Sequence, residues 1–388
     1  MKTNTFLEKL LQGEPMEWKT LGEVAKLQRG RVISKQYLSE NIGDYPVYSS
    51  QTANNGEIGT ISTFDFDQEA ITWTTDGANA GTVFHRLGKF SITNVCGLVN
   101  ILDLQKLDYK FLFYWLSIEA KKYVYSGMGN PKLMSNQMEK IKIPIPPLSV
   151  QKEIARILDA FTAITSELTS ELTLRQKQYQ YYRDKLLTFG EEVEWKMLGE
   201  VCDYVDYRGK TPKKVESGIY LVTAKNIKKG FIDYEVSKEY VDASSYNEIM
   251  RRGLPKIGDV LITTEAPCGN IAQVDREDIA LAQRVIKYRS KNNSILSNDF
   301  LKFLLLGKKF QDNLNKTATG STVKGIKGSL LHKIKIPIPP IAEQKRIVNI
   351  LDKFETLANS LSEGLPREIE LRQKQYEYYR NLLLGFEK

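Results

Sequence analysis

The chain is written twice, and that duplication limits its fold more than any other feature. Three blocks recur in one order. Residues 17–24 (EWKTLGEV) return at 194–201 (EWKMLGEV) with seven of eight positions identical. Residues 140–161 return at 333–354 with fifteen of twenty-two identical, both beginning KIKIPIPP. Residues 174–189 (LRQKQYQYYRDKLLTF) return at 371–386 with twelve of sixteen identical. Between the first and second blocks lie the inserts 25–139 and 202–332, which share little sequence, the second being sixteen residues longer. A purely architectural duplication should drift everywhere alike. Near-identical frames point to one kind of partner met twice, and unlike inserts point to two different targets.

Local chemistry gives the frames a shape. Ile143-Pro144-Ile145-Pro146-Pro147 is an extended arm, because each proline removes a donor and restricts the residue before it. A helix is expected to begin near Ser149 or Val150. Its apolar positions then alternate by four and three: Ile154, Leu158, Phe161, Thr165, Leu168, Leu172, Arg175, Tyr179, Tyr182 and Leu186. Eight of these ten are apolar or aromatic, which is a coiled-coil seam. The second frame repeats it from Ile347 to Leu383, with Gly364-Leu365-Pro366 expected to kink or break the helix. Two such helices in one chain are expected to pair antiparallel about a pseudo-two-fold axis, intermolecular pairing being the alternative. Thr165-Ser166-Glu167-Leu168 is followed at once by Thr169-Ser170-Glu171-Leu172. One copy changes a helix by about 6 Å and about 40° of net rotation, so the tandem is read as a length-setting element.

The inserts read as α/β modules. Residues 69–74 and 96–102 of the first are strand-like, and 108–125 form an amphipathic helix capped by Asp108. Residues 218–223, 259–264 and 282–288 of the second are strand-like, with the matching helix over 297–315. The polar loops between them carry side chains able to contact base edges bidentately, and glycines that let backbone approach phosphate. The candidate DNA-contacting residues in the first insert are Ser50, Gln51, Thr52, Asn54, Asn55, Thr75, Asn79, Asn130 and Lys132. In the second they are Arg208, Lys210, Thr211, Lys225, Asn226, Thr264, Arg284, Ser321, Thr322 and Lys324. Any one of them could be an ordinary solvated turn residue, and the reading rests on the set.

Charge supports a polyanionic partner: the formal net charge is +8 and the pI about 9.0. It is unevenly placed. Residues 16–139 hold 12 Lys and Arg against 13 acids, whereas 195–332 hold 23 against 16. The second insert is therefore expected to supply more phosphate contacts and more salt dependence. Catalytic groups are scarce. The two histidines, His85 and His332, are far apart, and there is no phosphate loop or adenine-methyltransferase motif. Glu119-Ala120-Lys121 imitates a nuclease signature but lies inside the amphipathic helix. Cys96, Cys202 and Cys268 have neither disulfide nor zinc spacing and are expected to be reduced and buried. No metal site is expected. The first residues lack an apolar signal core and no segment is long enough to span a bilayer, so a cytoplasmic protein with no membrane partner is expected.

The repeated IPIPP and ILD block, the LRQKQYxYYR block and the TSELTSEL tandem closely resemble the DNA specificity (S) subunits of bacterial type I restriction–modification enzymes, over nearly the whole chain. The resemblance implies an α/β fold with two globular target recognition domains, 1–148 and 191–340. They are separated by an antiparallel pair of long coiled-coil helices, 149–190 and 341–388, in an internal pseudo-two-fold duplication. It implies a non-catalytic subunit that reads a bipartite site in double-stranded DNA, one half per domain, with the gap set by the helices. Two modification (methyltransferase) subunits, using S-adenosylmethionine to methylate adenine N6, would dock on the frames. Restriction subunits using ATP and Mg2+ would join them. This chain itself would bind no cofactor. Base-reading residues do not carry over, because inserts differ between members. The alternatives are a DNA-binding subunit of another multisubunit system without restriction activity, and a two-fold protein scaffold.

Overall fold

The computed structural model describes residues 5–127, 129–207, 212–320, 324–359 and 364–386. They form two compact units: Met1–Leu168 with Ile369–Lys388, and Thr169–Glu368. Each unit holds one insert, the frame around it and helical segments from both halves of the sequence.

The repeated blocks meet in space. Strand Glu17–Thr20 pairs antiparallel with Lys142–Ile145, placing Trp18 opposite Pro144. Strand Glu194–Met197 pairs identically with Lys335–Ile338, placing Trp195 opposite Pro337. A two-stranded ribbon tolerates proline because an edge position needs no donor. The prolines that exclude helix therefore make each arm half of a strand pair that closes its insert.

A glutamine in each frame ties the following helix to the insert. Gln151 Nε2 donates to Lys106 O (2.8 Å) and Pro146 O (2.7 Å), while its Oε1 accepts from Asp108 N (2.9 Å). Gln344 repeats the pattern with Ile295 O (2.7 Å), Pro339 O (2.8 Å) and Ser297 N (3.0 Å). Both glutamines are fully buried. Asp108 and Ser297 are themselves the N-caps of helices Tyr109–Glu119 and Asn298–Leu306. The aspartate of each ILD motif meets a lysine of that helix: Asp159 pairs with Lys110, and Asp352 lies 3.6 Å from Lys302. Lys302 is only 8% exposed and also holds Glu355 at 2.7 Å.

The first long helix runs unbroken over Leu148–Leu186, with the Thr165–Leu172 tandem inside it. The boundary between the units falls at Leu168 and Thr169, between the two copies. The second helical region consists of Ile341–Asn359 and Gly364–Leu383. Gly364 takes φ +73°, and a Cβ there would lie 2.5 Å from Thr356 O, so the expected interruption falls where glycine is required. In the first unit, Val150, Ile154 and Leu158 share a core with Leu383, Leu384 and Phe386, and Phe161 stacks on Tyr379 at 5.3 Å. The start of one helix thus meets the end of the other, so the two run antiparallel there. In the second unit Tyr179 and Leu187 share a core with Ile347 and Leu351, and Tyr182 stacks on Phe354 at 5.5 Å.

The two inserts share the topology of their main sheet. The first has a sheet ordered Ala25–Arg29, Cys96–Ile101, Ala70–Thr74, Val83–Arg86. The second has Cys202–Asp206, Val285–Ser290, Val260–Thr264, Cys268–Gln273 in the same order, and both sheets are antiparallel throughout. A second sheet in each contains one parallel pair, Ile42–Tyr48 with Lys89–Ile92 and Ile219–Val222 with Ile279–Leu281. Two helix readings change. Residues 108–125 are α-helical only over Tyr109–Glu119 before tightening to a 3-10 turn, and 297–315 break at Gly307 into Asn298–Leu306 and Lys308–Thr317.

One interior difference separates the units. Trp115 packs against Trp18 (5.7 Å) and Phe386 (6.0 Å), and its indole donates to Lys142 O (2.9 Å). Its counterpart, counted from the N-caps, is Leu304, and the second unit has a partly solvent-open pocket of about 220 Å³ beside Leu304, Trp195 and Ile336. Trp115→Leu is expected to open a void and cost about 3 kcal/mol, read by denaturant unfolding.

Candidate nucleic-acid interface

Three of the expected DNA-contacting loops in each insert have equivalent backbone anchors. Four backbone contacts coincide. Thr93 N donates to Tyr48 O, and Ala282 N to Val222 O, both at 2.9 Å. Thr75 N donates to Val95 O (3.2 Å), and Thr264 N to Arg284 O (2.8 Å). Leu133 N donates to Thr75 O, and Ile326 N to Thr264 O, both at 2.9 Å. Tyr125 and Lys132 exchange a backbone pair, as do Thr319 and Gly325. The loops at 49–56, 74–79 and 126–132 therefore correspond to those at 223–226, 264–267 and 319–324. Within each insert these hydrogen bonds anchor the described ends of the three loops at the ends of the strands.

In the first insert the 49–56 loop is held from beneath. Arg86 lies 3.5 Å from the Tyr48 ring centroid and its Nη2 donates to Asn55 O (2.8 Å). Burial lowers the pKa of this guanidinium but leaves it a cation at neutral pH. Asn54 and Asn55 take φ 48° and 54°, a left-handed conformation that asparagine tolerates. Gln51, Thr52, Asn54 and Asn55 are exposed and Ser50 is half-buried; the Gln51 amide donates to Glu57 O. Asn79, Asn130 and Lys132 are exposed on the neighbouring loops.

Three expected contacts are corrected. Thr75 is fully buried, and its hydroxyl accepts from Arg29 (2.8 Å) and donates to Asp76 (2.6 Å). Asn226 is also fully buried. Its amide donates to Tyr220 Oη, Asp233 O and Ser237 O, and its oxygen accepts from Thr223 N and Oγ1. Thr264 is 8% exposed and serves the platform through its backbone. These three hold the loops in place. Lys225, Arg284 and Lys324 are exposed. Arg208, Lys210, Thr211, Ser321 and Thr322 lie outside the described residues.

Two cations and three acids at these loops are not among the expected contacts. Arg29 ends the first strand of its insert, with Nη2 3.4 Å from Asp76. Arg31 pairs with Asp65 at 3.0 Å. Asp76 also lies 3.9 Å from Lys132. In the second insert Glu265 lies 3.4 Å from Arg284, whose φ of +68° is left-handed. The signals were present: Thr74-Thr75-Asp76 recurs as Thr263-Thr264-Glu265, and Arg29-Gly30-Arg31 precedes in its insert as Arg208-Gly209-Lys210 does in the other.

The remaining chemistry is structural. Burial pushes the Cys96 and Cys202 thiols up to about 12, away from reactivity, while Cys268 is half-buried. Glu119 is 7% exposed and binds its neighbour Lys122. Among the described residues no group of acids, histidines and cysteines could hold a metal ion, and no helix is long and apolar enough to cross a membrane.

Comparison with known proteins gives one answer. The family model described as the type I restriction modification DNA specificity domain matches residues 13–175 and again 190–371. A putative type I restriction enzyme specificity subunit of Haemophilus influenzae is 38% identical over the whole of both chains. A type I restriction enzyme specificity subunit of Escherichia coli is 36% identical, covering 100% of this chain and 98% of its own. Among solved structures, the type I S subunit from M. genitalium superposes with a TM-score of 0.61 at 18% identity, covering 96% of this chain and 97% of that one. A chain from a structure on complex assembly and conformational transition of the type I system gives 0.54 at 17%, covering 96% and 98%. These superpositions bear on the fold.

Proposed function

Because this chain belongs to the type I restriction–modification DNA specificity family, we propose that it reads a bipartite double-stranded site with one platform per insert. The recognition domains are 1–148 and 191–340; the helical segments 149–190 and 341–388 set the gap between half-sites. The near-identical frames dock two modification subunits, and restriction subunits join that core. S-adenosylmethionine, ATP and Mg2+ belong to those partners, and this chain contributes recognition and assembly without catalysis.

The observation that carries the reading is the recurrence of one set of backbone loop anchors with different sequences between them. A scaffold that only joined two proteins would have no need to vary the loops while keeping their backbone anchors. Base reading needs both: fixed positions and exchangeable donors and acceptors. The test is a genome-wide map of methylated adenines with and without this gene. A split motif methylated only when the gene is present is expected; an unchanged map would overturn the reading.

The charge difference between the inserts gives a second test. Neutralising three exposed lysines of the second insert is expected to flatten the dependence of log affinity on log salt by about 2.7, at about 0.9 per phosphate contact. Neutralising Lys26, Lys89 and Lys132 of the first insert should change it less. A larger change from the first set would contradict the assignment.

A further inference from the structure

We propose that Asp76 and Glu265 are specificity-determining residues that act by restraining the DNA-facing cations of their platforms. The inference rests on the DNA-reading assignment above. Asp76 holds Arg29 at 3.4 Å and Lys132 at 3.9 Å, and Glu265 holds Arg284 at 3.4 Å. Each acid follows the same Thr-Thr pair at the end of the same strand, and each forms an isolated antiparallel bridge to the loop opposite, Asp76 with Lys132 and Glu265 with Gly325.

The acid is shared, and its described arginine partners come from different elements. Arg29 comes from the end of an edge strand, whereas Arg284 comes from the turn before the Val285–Ser290 strand. An acid that read a base would be tied to that base, and the inserts are otherwise unlike. A function common to both platforms fits the shared position better. A carboxylate among loops that approach DNA repels phosphate and competes with it for the nearby cations. On any sequence, freeing Arg29 or Arg284 means giving up an ion pair. Only a matched sequence returns directed hydrogen bonds to the freed guanidinium, as guanine O6 and N7 do. The acids therefore penalise binding to unmatched DNA more than binding to the site.

The test uses the chain assembled with its modification subunits, on the target duplex and on duplexes with one half-site scrambled. Asp76→Asn is expected to tighten binding to the duplex scrambled in the first half about tenfold while changing target binding less than about threefold. Glu265→Gln should do the same for the second half. Asp76→Glu, which retains the charge, should keep discrimination near the wild-type value. Asp103→Asn and Glu235→Gln remove one charge from exposed pairs elsewhere, with Lys106 and Lys238 respectively; they should move target and scrambled duplexes together. Weakened target binding with unchanged scrambled binding would overturn the proposal, since the acid would then be reading a base. Equal shifts on every duplex, matching the two controls, would also overturn it. Failure of the wild-type complex to discriminate at all would refute the DNA-reading assignment instead.

Discussion

A third Thr-Ser-Glu-Leu copy inserted after Leu172 is expected to cost the protein its original site and give it another with a longer gap. The tandem lies within the unbroken helix Leu148–Leu186, and the boundary between compact units falls between its copies. Four added residues lengthen a helix by about 6 Å and add about 40° of net rotation. Against about 3.4 Å per base-pair step and about 10 base pairs per turn, that equals one to two base pairs. Affinity for the original site should fall about 1,000-fold, toward the non-specific level. It should recover on a duplex whose gap is one or two base pairs longer, with both half-sites unchanged. Binding across a series of gap lengths reads this directly. An optimum that stays at the original gap would remove the tandem from any spacing role.

The second large effect is expected from the frame glutamines. Gln151→Leu leaves Lys106 O, Pro146 O and Asp108 N without their buried partner, and Gln344→Leu does the same to Ile295 O, Pro339 O and Ser297 N. A buried polar group left unmade costs about 1–3 kcal/mol. Partial relaxation toward water would bring each substitution to about 4 kcal/mol in total. For a unit of this size that is a fall of about 10 °C in Tm. Hydrogen exchange should locate the loss in the first unit for Gln151→Leu and in the second for Gln344→Leu. A Tm within 2–3 °C of wild type, the shift of about 1 kcal/mol, would mean that the insert and its helix are not coupled through this side chain.

The frames were legible because they are repeated. Their heptads and prolines gave the long helix and the extended arm. The pairing of Trp18 with Pro144, and of Trp195 with Pro337, was not legible, since strand pairing across more than 120 residues leaves no local periodicity. The common main sheet and loop anchors of the inserts were hidden by unequal spacing. From Val222 to Thr264 there are 42 residues, against 27 from Tyr48 to Thr75, so the anchors fall out of alignment. Polar loop composition also failed to separate readers from supports. Asn226 looked like an exposed amide, but its turn folds the side chain inward to satisfy five hydrogen bonds. Asp76 and Glu265 were not legible as site residues because a carboxylate resembles no donor suited to base edges, and its role runs through the cations it holds.

The central claim is that each insert reads one half of the target independently. Replacing residues 25–139 with the corresponding insert of a relative, and mapping methylated adenines in cells carrying the hybrid, tests it most directly. The account predicts a new split motif in which one half changes while the other half and the gap stay as they were. A motif changed in both halves, or in neither, would contradict it.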